Sequence, residues 1–214
     1  MSEEKEIDST DGDQASLENL MLLSELSNEL PSVRSISAYG EINEEQGKII
    51  TTSLNCLKEL GRKEEPNEKM GVSDISYEPI DLLLSTEGGN VQDMFAIYDC
   101  MRDIRKECDI NTFGVGKVMS AGILLLAGGS PGKRRVGKHC RLMMHSVQGG
   151  HFGSIKELET DIREVRWYQE QFIKALVEET KLSYKELKSI FRKKTDTYFD
   201  AEQAVKWGIA DEIV

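Results

Sequence analysis

From residue 33 onward the chain alternates short apolar runs with stretches in which large apolar residues recur every three or four positions. Runs at 33–39, 80–85, 110–116 and 141–145 predict strands, the first closed by Gly40. Residues 43–60, opened by Asn43 or Glu44, place Ile49, Ile50, Leu54 and Leu57 on one helical face. Residues 91–106 carry Met94, Ile97, Tyr98, Met101 and Ile104 at core spacing. A helix opening at Ser120 continues through the apolar stretch 123–127, and a long one runs from Ser154 to about residue 180. Shorter helices cover 183–193 and 201–207, the latter N-capped by Asp200, and a brief strand at 209–213 follows. Residues 61–79 are charged and broken by Gly and Pro, which predicts an exposed loop; 129–138 reads as a basic turn. Strand–helix alternation of this kind predicts parallel βαβ units in a single α/β domain. No internal repeat is visible.

The start of the chain departs from this pattern. Residues 1–16 are acidic and nearly free of large apolar side chains, which predicts a disordered tail. Leu17, Leu20, Met21, Leu23 and Leu26 fit a short amphipathic helix limited by Pro31. The expected division is an acidic N-terminal segment, 1–32, and a folded domain, 33–214.

Charge and composition narrow the classes. The net charge is −11, of which residues 1–30 carry −8, so a general nucleic-acid partner is not expected. The longest apolar run falls far short of the ~20 residues needed to cross a bilayer. Neither a basic n-region nor an apolar h-region opens the chain, so no membrane partner and a cytoplasmic location are expected. Cys56, Cys100, Cys108 and Cys140 lie apart, with no CxxC pair and no cysteine–histidine cluster. Reduced, mostly buried thiols are expected, with neither structural zinc nor a disulfide framework. The P-loop pattern GxxxxGKS/T and the dinucleotide pattern GxGxxG are both absent, so no nucleotide cofactor is implied.

Candidate chemistry centres on Ser120, where a strand-like run gives way to a buried helix. Its hydroxyl would stand where a first helical turn leaves N–H groups unpaired, a setting suited to a nucleophile and the oxyanion it creates. Taken alone, a serine at that position is more often an N-cap. Of the three histidines, His139 lies in the basic turn and reads as solvated, and nothing orients His151 between its glycines. His145 ends an apolar strand 25 residues after Ser120, and strand ends of a parallel sheet are where catalytic groups collect. The orienting carboxylate is not ranked by spacing. Asp196 has little advantage over Asp200 on that ground. Gly88-Gly89 at a strand end lets backbone approach a ligand, and Gly149-Gly150 is a weaker instance of the same signal.

In order along 33–214, these segments resemble the proteolytic subunit family of the ATP-dependent Clp protease, ClpP. Ser85-Thr86-Glu87-Gly88-Gly89 resembles its SPGG segment, and Gly116 to Gly122 resembles its GxAxSMG nucleophile segment. Gly132-Lys133-Arg134 matches its GKR turn, and Arg141 to His145 is similar to its RxMIH strand. Asp196 falls at the family's acid, twelve residues before Gly208. The resemblance implies a ClpP/crotonase-like α/β fold of ββα-type units with a protruding handle helix. It implies Ser120 as nucleophile, His145 as general base and acid, and Asp196 as orienting carboxylate. Gly88, Gly89 and Ala121 would form the substrate and oxyanion site, the backbone donors being Gly89 and Ala121. It further implies two stacked heptameric rings, a partner AAA+ unfoldase and unfolded polypeptide substrates, with no metal or cofactor.

Several positions depart from the family pattern. Glu87 stands for its proline, Ala121 for its methionine, Ser146-Val147 for its Gln-Pro, and the 61–79 loop is longer. Other readings stay open beside the endopeptidase. They are a silent structural ring subunit, a phage-type protease acting on virion proteins, a crotonase-like acyl-CoA enzyme, and a Ser/Lys mechanism using Lys117.

Overall fold

The computed structural model describes residues 33–67, 72–150 and 152–214, so the 17–30 helix expected from the sequence lies outside the described residues. Residues 34–214 form one α/β unit. In chain order the elements are β1 (Ser35–Ile42), α1 (Glu44–Leu60), β2 (Arg62–Asn67), β3 (Val72–Tyr77), β4 (Ile80–Gly89), α2 (Val91–Ile104), β5 (Ile110–Met119) and α3 (Ala121–Ala127). Then follow β6 (Arg134–Val136), β7 (Arg141–Met144), α4 (Ile155–Glu179), α5 (Tyr184–Phe191), β8 (Thr197–Phe199), α6 (Ala201–Trp207) and β9 (Glu212–Ile213).

The main sheet runs β1-β4-β5-β6-β9, all parallel, and β7 joins the second half of β5. β6 pairs with Thr112 to Gly114 of β5 and β7 with Lys117 to Met119, so two short strands share one edge. β8 returns antiparallel to β7, a pairing that βαβ alternation did not predict. The expected core residues of α2, from Met94 to Ile104, are all buried. In α1, Ile50 and Leu54 face the core, but Ile49 is turned to the surface. Every residue of α3 is buried, so this helix is a plug set in the core and not an amphipathic surface element.

Three expectations need correction. Residues 61–79 are not an irregular loop: β2 and β3 pair antiparallel from Arg62–Tyr77 to Asn67–Val72. Both faces of this hairpin meet water, so no alternation of apolar residues announced it, and Pro66 is tolerated because the two-stranded sheet is all edge. The basic turn contains β6. Its Arg134 is buried, where a cluster of charges predicts solvent. The thiols are all free, but only Cys108 and Cys140 are buried, and Cys56 is exposed.

α4 spans 25 residues, about 37 Å at 1.5 Å per residue. Its buried side chains begin only at Phe172, and Ile155 and Ile162 are exposed, so the first half stands clear of the core. Two arginines gather the carbonyls at the far end of α3. Arg105 Nη1 donates to Gly128 O (2.8 Å) and Gly129 O (3.0 Å) and pairs with Glu179. Arg134 Nη1 donates to Ala127 O (3.2 Å) and to Glu179 O (2.7 Å) at the end of α4. Its Nη2 donates to Asp211 Oδ1 (2.6 Å) and its Nε to Oδ2 (2.8 Å).

Burial alone would raise the Asp211 carboxyl, but hydrogen bonds and charge from Arg134 outweigh it and hold the group below the usual carboxylate range. A lowered carboxyl stabilises the fold only while ionised. Its contribution is complete above the unfolded-state value near ~3.9 and vanishes as pH falls through the lower folded value. Asp211→Asn is predicted to cost about 3 kcal/mol at pH 7 in urea unfolding, because it strips the counter-charge from a buried arginine. The gap to the native protein should narrow as pH drops below about 4. A gap that stays constant would take this pair out of the acid response.

Candidate active site

The site grows from three parallel strand ends whose registers slip relative to one another. Between β1 and β4 the pairing passes from Tyr39–Ser85 to Glu41–Gly88, so β4 gains one residue. Between β4 and β5 it passes from Leu84–Gly114 to Thr86–Val118, so β5 gains two. These bulges carry β1 through Gly40 (φ +76°) to Ile42 and let β4 run on through both glycines, beyond the predicted strand ends. Gly116 (φ +64°) turns the β5 bulge. Bulges of this type re-aim the residues that follow them.

The residue re-aimed here is Ser120. Among the described residues it is the sole non-glycine with positive φ, at φ 53° and ψ −118°. Such backbone costs of order 1–3 kcal/mol and persists only where its surroundings enforce it. The N-cap reading fails on geometry: Ser120 occupies the cap position of α3, but its side chain makes no cap hydrogen bond. Its N–H donates to Met143 O (2.8 Å), which stitches the turn to β7. Gly88 (φ +98°) packs against it so closely that an added Cβ would lie 2.5 Å from Ser120 Cβ and 2.9 Å from Met119 O. At Gly89 (φ +153°) a Cβ would lie 2.1 Å from Ile42 O. Both glycines are therefore required by close approach, and the neighbours that demand it are the chain's own Ser120, Met119 and Ile42.

Thr86 holds this junction. Its fully buried hydroxyl donates to Gly40 O (2.5 Å) and accepts from Gly88 N–H (2.9 Å). The Gly88 N–H is thus already engaged. Gly88 shapes the site by its missing side chain, and donors remain to be sought at Gly89 and in the first turn of α3, where Ala121 N–H has no intrahelical acceptor.

A cleft of about 500 Å³ opens over this turn. Gly88, Gly89, Ser120, Ala121 and His145 line it, with Val91, Met94, Val147 and Phe172 as apolar walls and Glu41, Glu87, Asn90 and Gln148 completing the lining. His145 follows the last residue of β7, beside the end of β5, so parallel neighbours deliver the serine and the imidazole to one cleft. Asp196 does not line the cleft and is exposed. It precedes β8, and continuing the antiparallel register past Met144–Thr197 sets it opposite His145. Among the described residues no hydrogen bond joins Ser120, His145 and Asp196, and His145 Nδ1 is a buried atom without a partner.

His139 is exposed, as expected, and His151 lies outside the described residues. Lys117 does not line the cleft; its ammonium lies 2.7 Å from the Glu87 carboxylate. That hydrogen-bonded ammonium holds the Glu87 carboxyl below its usual range. Turned to Glu87 and absent from the cleft lining, this side chain is not placed to take the Ser120 proton. The segment after His145 is tied to α4, since Val147 N–H donates to Gln169 Oε1 (2.7 Å).

The chain matches the Clp protease family over residues 21–214. It belongs to the Clp protease family. The match begins before residue 33, where the resemblance read from the motifs began. Among its relatives are proteins named ATP-dependent Clp protease proteolytic subunit 2. The one from Corynebacterium efficiens is 33% identical over 135 residues, covering 63% of this chain and 66% of that protein. That from Chlamydia trachomatis serovar D is 29% identical over 143 residues, covering 67% and 68%. That from Gluconobacter oxydans is 28% identical over 194 residues, covering 90% and 78%. The match thus spans about two thirds of the Corynebacterium protein.

Sequence reasoning passed over Thr86, Glu41 and Gln169. Thr86 was visible as a hydroxyl two residues before Gly88, the reach of a side-chain-to-backbone turn. Glu41 and Gln169 carried no such signal. Two outcomes follow from the geometry. Gly88→Ala should slow covalent labelling of Ser120 by a fluorophosphonate on the order of 10²-fold, because the added carbon must displace the serine. An unchanged labelling rate would show the close approach to be unnecessary. Thr86→Val keeps the shape but leaves Gly88 N–H buried and unpaired and takes the hydroxyl donor from the half-buried Gly40 O, and should cost about 1–3 kcal/mol in urea unfolding.

Proposed function

We propose that this Clp protease family member is a serine endopeptidase acting on unfolded polypeptides. The observation that carries the reading is the strained, uncapped Ser120 sharing a cleft with His145. The Ser120 hydroxyl adds to the scissile carbonyl while His145 Nε2 takes its proton. The same proton then passes to the leaving amine as the C–N bond breaks, and water repeats the sequence on the acyl-enzyme. Gly89 and Ala121 N–H groups hold the oxyanion, each such donor being worth ~10²–10³ in turnover. Asp196 orients the imidazole through Nδ1; the partnerless Nδ1 and the β7–β8 register both support this role.

The wider reading follows the relatives, which are named as ATP-dependent proteases. The chain forms two stacked heptameric rings, with the exposed half of α4 as a handle between them. A partner AAA+ unfoldase in the cytoplasm threads substrate to the enclosed clefts, and the glycine-rich segment at 148–153, which forms no strand of its own among the described residues, pairs with the peptide. No helix among the described residues is long and apolar enough to cross a membrane.

A second reading has one observation behind it. The three site residues are not hydrogen-bonded to one another, which favours a catalytically silent ring subunit. Native mass spectrometry of the assembled protein, combined with fluorophosphonate labelling, separates the two. The endopeptidase reading predicts one label per subunit at Ser120. Ser120→Ala should abolish peptide hydrolysis with assembly intact, and His145→Ala should lower the rate by about 10³-fold or more. An assembled ring that takes no label would establish the silent subunit.

A further inference from the structure

Among the described residues two carboxylates, and no lysine or arginine, line the Ser120 cleft: Glu41 from the end of β1 and Glu87 from the end of β4. The cleft is defined independently of them, by the strained serine turn and by His145. Their states differ. Glu87 is matched by Lys117 at 2.7 Å, with both side chains about half exposed. The Glu41 carboxylate makes no hydrogen bond or ion pair with any described residue.

An unmatched carboxylate at the rim of a cleft attracts cations and repels anions more strongly than it would in open water. The apolar walls add a second requirement. Val91, Met94, Val147 and Phe172 suit the aliphatic stem of a long side chain, whose charged end can then reach the rim. Lysine and arginine satisfy both demands, and aspartate and glutamate satisfy neither.

We propose that the cleft selects peptides carrying Lys or Arg beside the scissile bond over peptides carrying Asp or Glu there. Glu41 reads the charge, and Lys117 acts as an internal competitor that occupies Glu87. The proposal rests on the serine endopeptidase reading and names its substrate class. A substrate cation that displaces Lys117 only exchanges one solvated ion pair for another, a nearly neutral trade. Glu87 therefore contributes little while Lys117 is present.

The test uses the assembled protein and quenched peptides identical except for Lys, Gln or Glu at each position flanking the cleavage site. At low salt kcat/KM should favour Lys over Glu on the order of tenfold, with Gln between, and the ratio should shrink as salt is added. Glu41→Gln should bring the ratio close to one. Lys117→Met should raise it, because the Glu87 carboxylate is then unmatched. Each ratio is taken within one variant, so changes in overall rate cancel. A ratio at or below one in the native protein, or one that survives Glu41→Gln, overturns the proposal. A cationic and an anionic fluorophosphonate make the same comparison at Ser120 without peptide turnover. A labelled serine without charge preference defeats this proposal alone; no hydrolysis and no labelling by either probe defeats the endopeptidase reading itself.

Discussion

The Thr86 hydroxyl pins two backbone turns that the β1–β4 ladder sets side by side, the β1 bulge at Gly40 and the glycine pair ending β4. It is uncharged and sealed from water, so both of its hydrogen bonds replace partners that burial has taken away. With Gly88 held there, the turn at Ser120 has one place to sit. Gly88 presses on the serine from one side, Met143 O draws its N–H from another, and the wholly buried α3 fixes the chain that leaves it. Positive φ at a serine survives because these contacts over-determine it.

The opposite end of α3 is held by charge. Arg105 and Arg134 collect the carbonyls of Ala127, Gly128 and Gly129, and both reach Glu179, which also accepts from the Tyr98 hydroxyl. Burial, with the neighbouring Glu179 carboxylate, drives the Tyr98 phenol well above its ordinary range, so it remains a donor at any working pH. Cations at a helix C-terminus also match its dipole. A seven-residue helix is about 10 Å long, so the clamp lies one short rod away from Ser120. Packing, arginines and strand register thus converge on a single turn of backbone.

Much of this was legible in the chain. Helices with one buried face announce themselves by period, and α2 lies where Met94, Ile97, Tyr98, Met101 and Ile104 set it. Ile49 misled because it neighbours Ile50 in the same apolar run, but in α1 the buried stripe takes in Ile50 and Leu54 and leaves Ile49 outside it. β6 and β8 are three residues each and carry polar residues, so period says nothing about them; only their neighbours make them strands. Ser120, His145 and the glycines were readable from order and context. Thr86 and Glu41 depend on register slips between strands far apart in sequence, which no local pattern encodes.

The same slip has a consequence at the rim of the sheet. Among the described residues β1 pairs only with β4, so its other side has no strand beside it there, the kind of edge on which another strand can add. A long straight border of that kind seeds fibrils. Here the left-handed kink at Gly40 interrupts it after five residues, so an intruding chain cannot stay in step along its length. The irregularity that aims the serine therefore also guards the molecule against open-ended self-association.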